Sequence, residues 1–306
     1  MAGELQKMLN GRLKKLLLLR LKKLTGYYLV LPTLIIIALI AFFPLEELIR
    51  LSFTNLNLLN PTSKYIGFEN YVRLLTDGSF WNAFFHSIIL TVVVISLQLI
   101  LGVALALLLN KKLPAIGFFK STVMISWVMP IVATVIMFQF MSEPNYGFIN
   151  VILSFIGLGK YTTYWFGSMN FAFPFIVLLH LWRNVPFYGI ALLAAMQSIP
   201  KELYEAASID GANAYRQFWH ITVPGIRYMA IIMMTIHIAW TFNQFSIVYL
   251  ATDGGPVNKT MILPVYIYDQ VWSNYSIGYG SAIGVVMLLI LAGIFLVFVK
   301  LFQQEG

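Results

Sequence analysis

The sequence predicts an all-α integral membrane protein: a six-span helical bundle with a short helical element on its cytoplasmic face and an interfacial helix at its N-terminus. Three observations lead there. Of the 306 residues, 59% are hydrophobic and only 10% charged, with mean hydropathy +0.81; a soluble domain carries about a quarter charged residues. Six apolar runs approach the ~20 residues a helix needs to cross roughly 30 Å of hydrocarbon, and only helices or closed barrels satisfy their backbone there. None of these runs shows the strict alternation of barrel strands.

Taken in order, residues 1–25 form a basic segment, of which Glu4 to Leu24 alternates leucines with lysine and arginine. It is too charged to span and reads as a helix on the membrane surface or as a plain basic anchor. Residues 26–306 form the transmembrane domain, with spans expected at Gly26–Phe43, His86–Leu109, Phe118–Met141, Phe171–Met196, Ile226–Leu250 and Tyr279–Phe302. The first run is expected to be retained, because its basic flank is too long for a cleaved leader and no small-residue cleavage site follows.

Lys and Arg set the orientation, since cytoplasmic flanks carry the excess. Lys7, Arg12, Lys14, Lys15, Arg20, Lys22 and Lys23 precede the first run, Lys111, Lys112 and Lys120 follow the second, and Lys201, Arg216, Arg227 and Lys300 fall on the same side. Both termini are therefore expected in the cytoplasm of a multi-pass cell-membrane (inner-membrane) protein. The formal charge of +8 follows from this topology and not from a nucleic-acid surface. With no cysteine, disulfides and thiolate metal sites are excluded. His86, His180, His220 and His237 lack ligand spacing, so no metal site or proton relay is expected.

One segment breaks the apolar pattern: SIPKELYEAASIDGANAYRQFWHITVPGI, Ser198 to Ile226. Ser198 can cap a helix, Pro200 suits its first turn, and Glu202 and Glu205 favour its positive end. Leu203, Ala206, Ala207 and Asp210 share one face, and Gly211 stops the helix. Asn213 can cap a second short helix, expected to end at Pro224 and Gly225. Such a surface helix, with small residues on one face and charges at its flanks, is suited to docking in another protein's groove.

These residues carry a resemblance. EAASIDGA (Glu205 to Ala212), followed by Ile221 and Pro224, resembles the EAA loop of the permease subunits of binding-protein-dependent ABC importers. MQSIP at Met196–Pro200, TDGGPVNKT at Thr252–Thr260 and GYGSAIGVV at Gly278–Val286 are similar to the carbohydrate, maltose-type branch, and the match extends from the first span onward. The resemblance implies a type I importer fold whose loop 198–225 is a coupling helix seated in a cytoplasmic ATPase. Glu205 would be its charged contact, Ala206 and Ala207 its close-packed face and Gly211 its turn. It also implies the partners: a second, non-identical permease, an ATPase dimer and an extracytoplasmic sugar-binding protein. No G-x-x-x-x-G-K-[ST] loop occurs, so ATP and Mg would be bound by the partner ATPase and this chain would hold no cofactor.

Polar residues inside spans mark pathways when they face the bundle interior. Arg183 and Asn184 lie beside Pro186, which can open the fourth span; Trp240, Asn243, Gln244 and Ser246 lie in the fifth, with Asn243 and Ser246 expected on one helical face. The maltose-type resemblance implies a sugar path along Trp127, Ile131, Arg183, Asn184, Phe187, Phe242, Asn243 and Ser246. Arg183 would either meet an anionic sugar or bond backbone carbonyls. Importers of glycerol phosphate or polyamines share the architecture. An ATP-independent transporter would need carboxylates in its spans, where none is visible, and no cluster of nucleophile, base or metal ligands suggests an enzyme.

Overall fold

The computed structural model describes residues 27, 29–60, 62–111 and 114–303; the basic segment 1–25 lies outside them. Among the described residues the architecture is helical, with three isolated β-bridges. The helices are α1 (Leu29–Ser52), α2 (Glu69–Thr76), α3 (Gly78–Leu109), α4 (Ile116–Val128), α5 (Ile131–Met141), α6 (Phe148–Phe155), α7 (Ala172–Gln197), α8 (Lys201–Ile209), α9 (Ala214–Gln217), α10 (Val223–Phe242), α11 (Phe245–Thr252), α12 (Leu263–Trp272) and α13 (Ile277–Gln303). Among the described residues five apolar helices are long enough to span, and the count is six with the bent pair α4–α5 taken as one span, which is compatible with the expected six.

Two expected spans are not single straight helices. Phe118–Met141 breaks between Met129 and Pro130, and α4 and α5 diverge by 95°. Pro130 has no N–H to donate and drives the residue before it out of the α region; Met129 sits at ψ 138°. Ile226–Leu250 also breaks: α10 ends at Phe242, Gln244 is extended at ψ 90°, and α11 starts at Phe245. Asn243 closes α10 by donating from Nδ2 to the Ala239 carbonyl at 2.9 Å. Asn243 and Ser246 therefore share no helical face. By contrast, α7 runs unbroken through the buried Pro186, so the opening expected there is absent. The second span starts at Gly78 instead of His86, because Asp77 supplies an N-cap.

In lipid, helices associate through close packing because apolar side chains gain nothing by leaving hydrocarbon. Small residues accordingly bring α3 against α7. A Cβ on Gly102 would fall 2.6 Å from Tyr188 Cβ, and one on Gly189 2.6 Å from Leu105 Cδ2. Leu90, Val94, Ile176, Leu179, Ile247 and Ile283 fill the adjoining core, all nearly solvent-free. Gly102→Val is expected to force these helices apart and cost about 1–3 kcal/mol, the usual penalty of overpacking. A thermal melt of the purified protein checks it; an unchanged midpoint would refute the close contact.

At the end of the bundle remote from α8, Asp77 joins four elements. Its Oδ1 accepts from the N–H groups of Ser79 (2.9 Å) and Phe80 (3.3 Å), and its Oδ2 from the hydroxyls of Tyr266 on α12 (2.6 Å) and Tyr279 on α13. Arg73 of α2 lies 3.9 Å over the Tyr279 ring. Burial would raise the Asp77 carboxyl, but these four hydrogen bonds outweigh it and hold the group below the usual carboxylate range.

Candidate functional site

Both helix breaks open on one cavity of about 300 Å³. Trp127 near the end of α4 and Ile131, first residue of α5, form one wall; His180, Arg183 and Asn184 on α7 form the second. The third is built from His237, Trp240 and Thr241 at the end of α10, with Gln244 and Ile247 across the second break. Four of the eight residues implied for the sugar path thus line one space: Trp127, Ile131, Arg183 and Asn184. Phe187 stacks on Trp127 with centroids 4.8 Å apart and planes 8° apart, backing that wall.

The other three residues lie elsewhere. Phe242 is 2% exposed inside the apolar core, because α10 ends there with this side chain turned inward. Asn243 is exposed and lines a separate, largely apolar cavity of about 480 Å³ with Tyr268 and Trp272. Ser246 is half-buried on α11 and is in neither wall. Conversely, the structure gathers His180 and His237, which looked scattered in the sequence because they lie on different helices. Each is 2% exposed, and neither Nε2 has a hydrogen-bond partner. The His237 ring packs edge-on against Tyr188 at 4.7 Å and beside Trp240 at 5.1 Å. No spacing rule in a single span could have found this pair, since their proximity depends on the packing of α7 against α10. Among the described residues no three His, Asp or Glu side chains group as metal ligands.

Arg183 donates from Nη1 to the carbonyl of Met129, the C-cap of α4. The guanidinium thereby satisfies an acceptor that the Pro130 break sets free. Asn184 Nδ2 donates to the His180 carbonyl at 3.0 Å. Aromatic faces, an amide, imidazoles and a guanidinium around one opening match the chemistry that holds polyhydroxylated ligands.

In the loop between α7 and α10, α8 starts with Pro200 at the N-cap position. Ser198 does not cap it, since its Oγ donates back to the Ala195 carbonyl at 2.8 Å. The helix stops in a Schellman motif: Gly211, at φ +78°, donates to the Ser208 carbonyl (3.1 Å), and Ala212 donates to the Ala207 carbonyl (2.8 Å). Asn213 accepts from Arg216 N at 3.0 Å and starts α9. Pro224 does not end that helix. A π-helical turn over Phe218–Thr222, which includes Ile221, joins α9 to α10 in one 29-residue helix, and Pro224 occupies the first turn of α10. Tyr204 and Thr222 hydroxyls meet at 2.9 Å, and Gln217 Nε2 reaches Ser208 Oγ at 2.9 Å. These bonds fix α8 to the root of α10. No residue of α8 is buried: Glu205, Ala206 and Asp210 are exposed, Ala207 is half-buried, and Leu203 and Ile209 are 51% and 87% exposed.

Comparison with known proteins gives a consistent picture. Residues 98–305 match the family described as "Binding-protein-dependent transport system inner membrane component". The diacetylchitobiose uptake system permease protein DasB of Streptomyces coelicolor is 34% identical, covering 92% of this chain and 88% of that protein. The sulfoquinovosyl glycerol transport system permease protein SmoG of Agrobacterium fabrum is 31% identical, covering 92% and 91%. In fold, the chain superposes with TM-score 0.79 on a chain of a bacterial ABC transporter involved in alginate import, at 22% identity and covering 91% of this chain and 94% of that one.

Proposed function

We propose that this chain, which belongs to the family of binding-protein-dependent transport system inner membrane components, forms half of the translocation path of an ATP-driven carbohydrate importer. The observation that carries the carbohydrate reading is the similarity, over nine-tenths of its length, to permease proteins named for diacetylchitobiose and sulfoquinovosyl glycerol transport. The aromatic, amide and imidazole lining of the cavity at the helix breaks supports it. Glycerol phosphate and polyamine uptake are disfavoured by the same relatives.

In this reading the chain is not itself an enzyme. Hydrolysis belongs to a separate ATPase dimer that holds ATP and Mg, and the cargo arrives from an extracytoplasmic binding protein. A second, non-identical permease completes the path, since one chain with six spans and one EAA-like loop supplies only half of the pore. The exposed α8, with Glu205 at its middle and the apolar Leu203 and Ile209 open to solvent, docks in the ATPase. A coupling element must make contacts that differ between two ATPase states and be rigid enough to transmit the difference. The bonds from Tyr204 and Gln217 supply that rigidity. The Lys and Arg distribution supports placing both termini in the cytoplasm.

The test is to purify the chain with its partners and measure ATP hydrolysis against a panel of mono- and oligosaccharides in the presence of the binding protein. Stimulation by at least one sugar, and none by polyamines or glycerol phosphate, is expected. Sodium- or proton-driven uptake in ATP-depleted vesicles would overturn the reading.

A further inference from the structure

We infer that the cavity at the two helix breaks is an anion subsite, so that the transported carbohydrate carries an acidic group. The inference rests on the carbohydrate-importer reading and goes further by fixing the charge of the cargo. It starts from an imbalance. Arg183 lines the cavity at mid-span, and no Asp or Glu lines it. The ion pair of Arg50 with Glu47 lies elsewhere, on α1. The Met129 carbonyl takes one N–H of the guanidinium, yet a carbonyl dipole does not neutralise a charge, and the other N–H groups meet no protein acceptor among the described residues. A charge at membrane depth is costly unless paired, which marks it as a functional group awaiting a counter-charge. The planar fork of an arginine fits a carboxylate with two parallel hydrogen bonds.

The backbone adds to the same field. Both α5, with 11 residues, and α11, with 8, begin at this cavity, and neither N-terminus carries a side-chain cap. The uncapped first turns of both helices, with their positive dipole ends, thus lie beside the space. At the opposing ends, Arg183 meets the carbonyl of Met129, the C-cap of α4, and Asn243 Nδ2 meets the Ala239 carbonyl in the last turn of α10. Interrupted spans whose half-helix N-termini point at an anion are a recurring way to bind one inside a membrane. An independent observation points to a ligand in the same place. His180 and His237 are 2% exposed and line the cavity, and each has an unpartnered Nε2. A neutral imidazole nitrogen can donate to or accept from a sugar hydroxyl or acid oxygen, depending on its tautomer. A polyamine would meet the Arg183 charge and no carboxylate of this chain, and a neutral sugar would leave that charge without a counter-ion.

The counter-charge could come from the cargo or from a carboxylate of the facing permease, and a test on the assembled complex separates the two. The complex of both permeases and the ATPase is placed in nanodiscs. Binding is followed by tryptophan fluorescence, since Trp127 and Trp240 line the cavity. The probes are matched pairs of neutral mono- or disaccharides and their uronic acids, each acid also as its methyl ester. The expected result is that, in at least one pair, the acid binds about tenfold more tightly than its ester. Arg183→Gln should reduce that ratio to about one, and Arg183→Lys, which keeps the charge without the fork, should retain part of it. Esters binding as tightly as acids in every pair, or a preference that survives Arg183→Gln, would overturn the anion subsite while leaving sugar transport standing. If no sugar of either kind is bound, the carbohydrate reading falls and the subsite with it.

Discussion

Gly211→Val is expected to lower cargo-stimulated ATP hydrolysis in the assembled transporter by at least tenfold while the chain still inserts and assembles. Gly211 sits at φ +78°, a left-handed conformation that costs an L-residue roughly 1–2 kcal/mol and a β-branched one more. Nothing lies within 4 Å of where its Cβ would be, so the penalty is purely that of the backbone. The valine variant escapes it by unwinding the Schellman closure, which frees the Ser208 and Ala207 carbonyls and moves Ala212. Ala212 accepts from Gln217, and Asn213 caps α9, so the displacement runs directly into the brace between α8 and α10. Gly211→Asn should restore most of the stimulation, because asparagine tolerates this region. Basal ATPase activity, set inside the ATPase, should not move in either variant. Normal stimulation in Gly211→Val would remove α8 from the coupling path.

The sequence made the spans and this loop legible for the same reason: hydropathy over ~20 residues and the chemistry of caps and turns are local properties. Gly211 as a stop and Asn213 as a cap need only their neighbours in sequence. Where local rules competed, they misled. Pro186 and Pro130 have the same covalent constraint, yet α7 absorbs Pro186 into an unbroken helix, whereas Pro130 breaks its span by 95°. Part of the difference is visible in the fold, because Arg183 reaches across to satisfy the carbonyl of Met129 that the break exposes. Ser198 has the composition of a cap but bonds backwards to Ala195. The cavity was half legible: Arg183 and Asn184 stand out as polar residues within a span, and Trp127 and Ile131 came with the maltose-type resemblance. His180 and His237 required the packing of α7 against α10, and Phe242 could not be placed without knowing that α10 stops under it.

Asp77→Ala is expected to cost about 3 kcal/mol of stability. Losing an N-cap removes about 1 kcal/mol, and hydrogen bonds to a charged acceptor contribute about 1.5–3 kcal/mol each, part of which water recovers at a half-buried site. The tyrosine hydroxyls on α12 and α13 would also lose their acceptor, detaching these helices from the start of α3. The pH dependence separates charge from shape. Asp77 has its carboxyl depressed in the folded protein, so on acidification the unfolded chain takes up the proton first. Its contribution is thus fully present above the ordinary carboxylate value near pH ~4 and declines as pH falls through the lower, folded value. Asp77→Asn keeps the size and an oxygen for the cap but cannot titrate. Its stability deficit relative to the parent protein should therefore be greatest near neutral pH and shrink on acidification. A deficit that stays constant from pH 7 to pH 3 in thermal melts of the detergent-purified protein would mean that the charge on Asp77 contributes nothing. The joint between α3, α12 and α13 would then rest on packing and on the Arg73–Tyr279 contact.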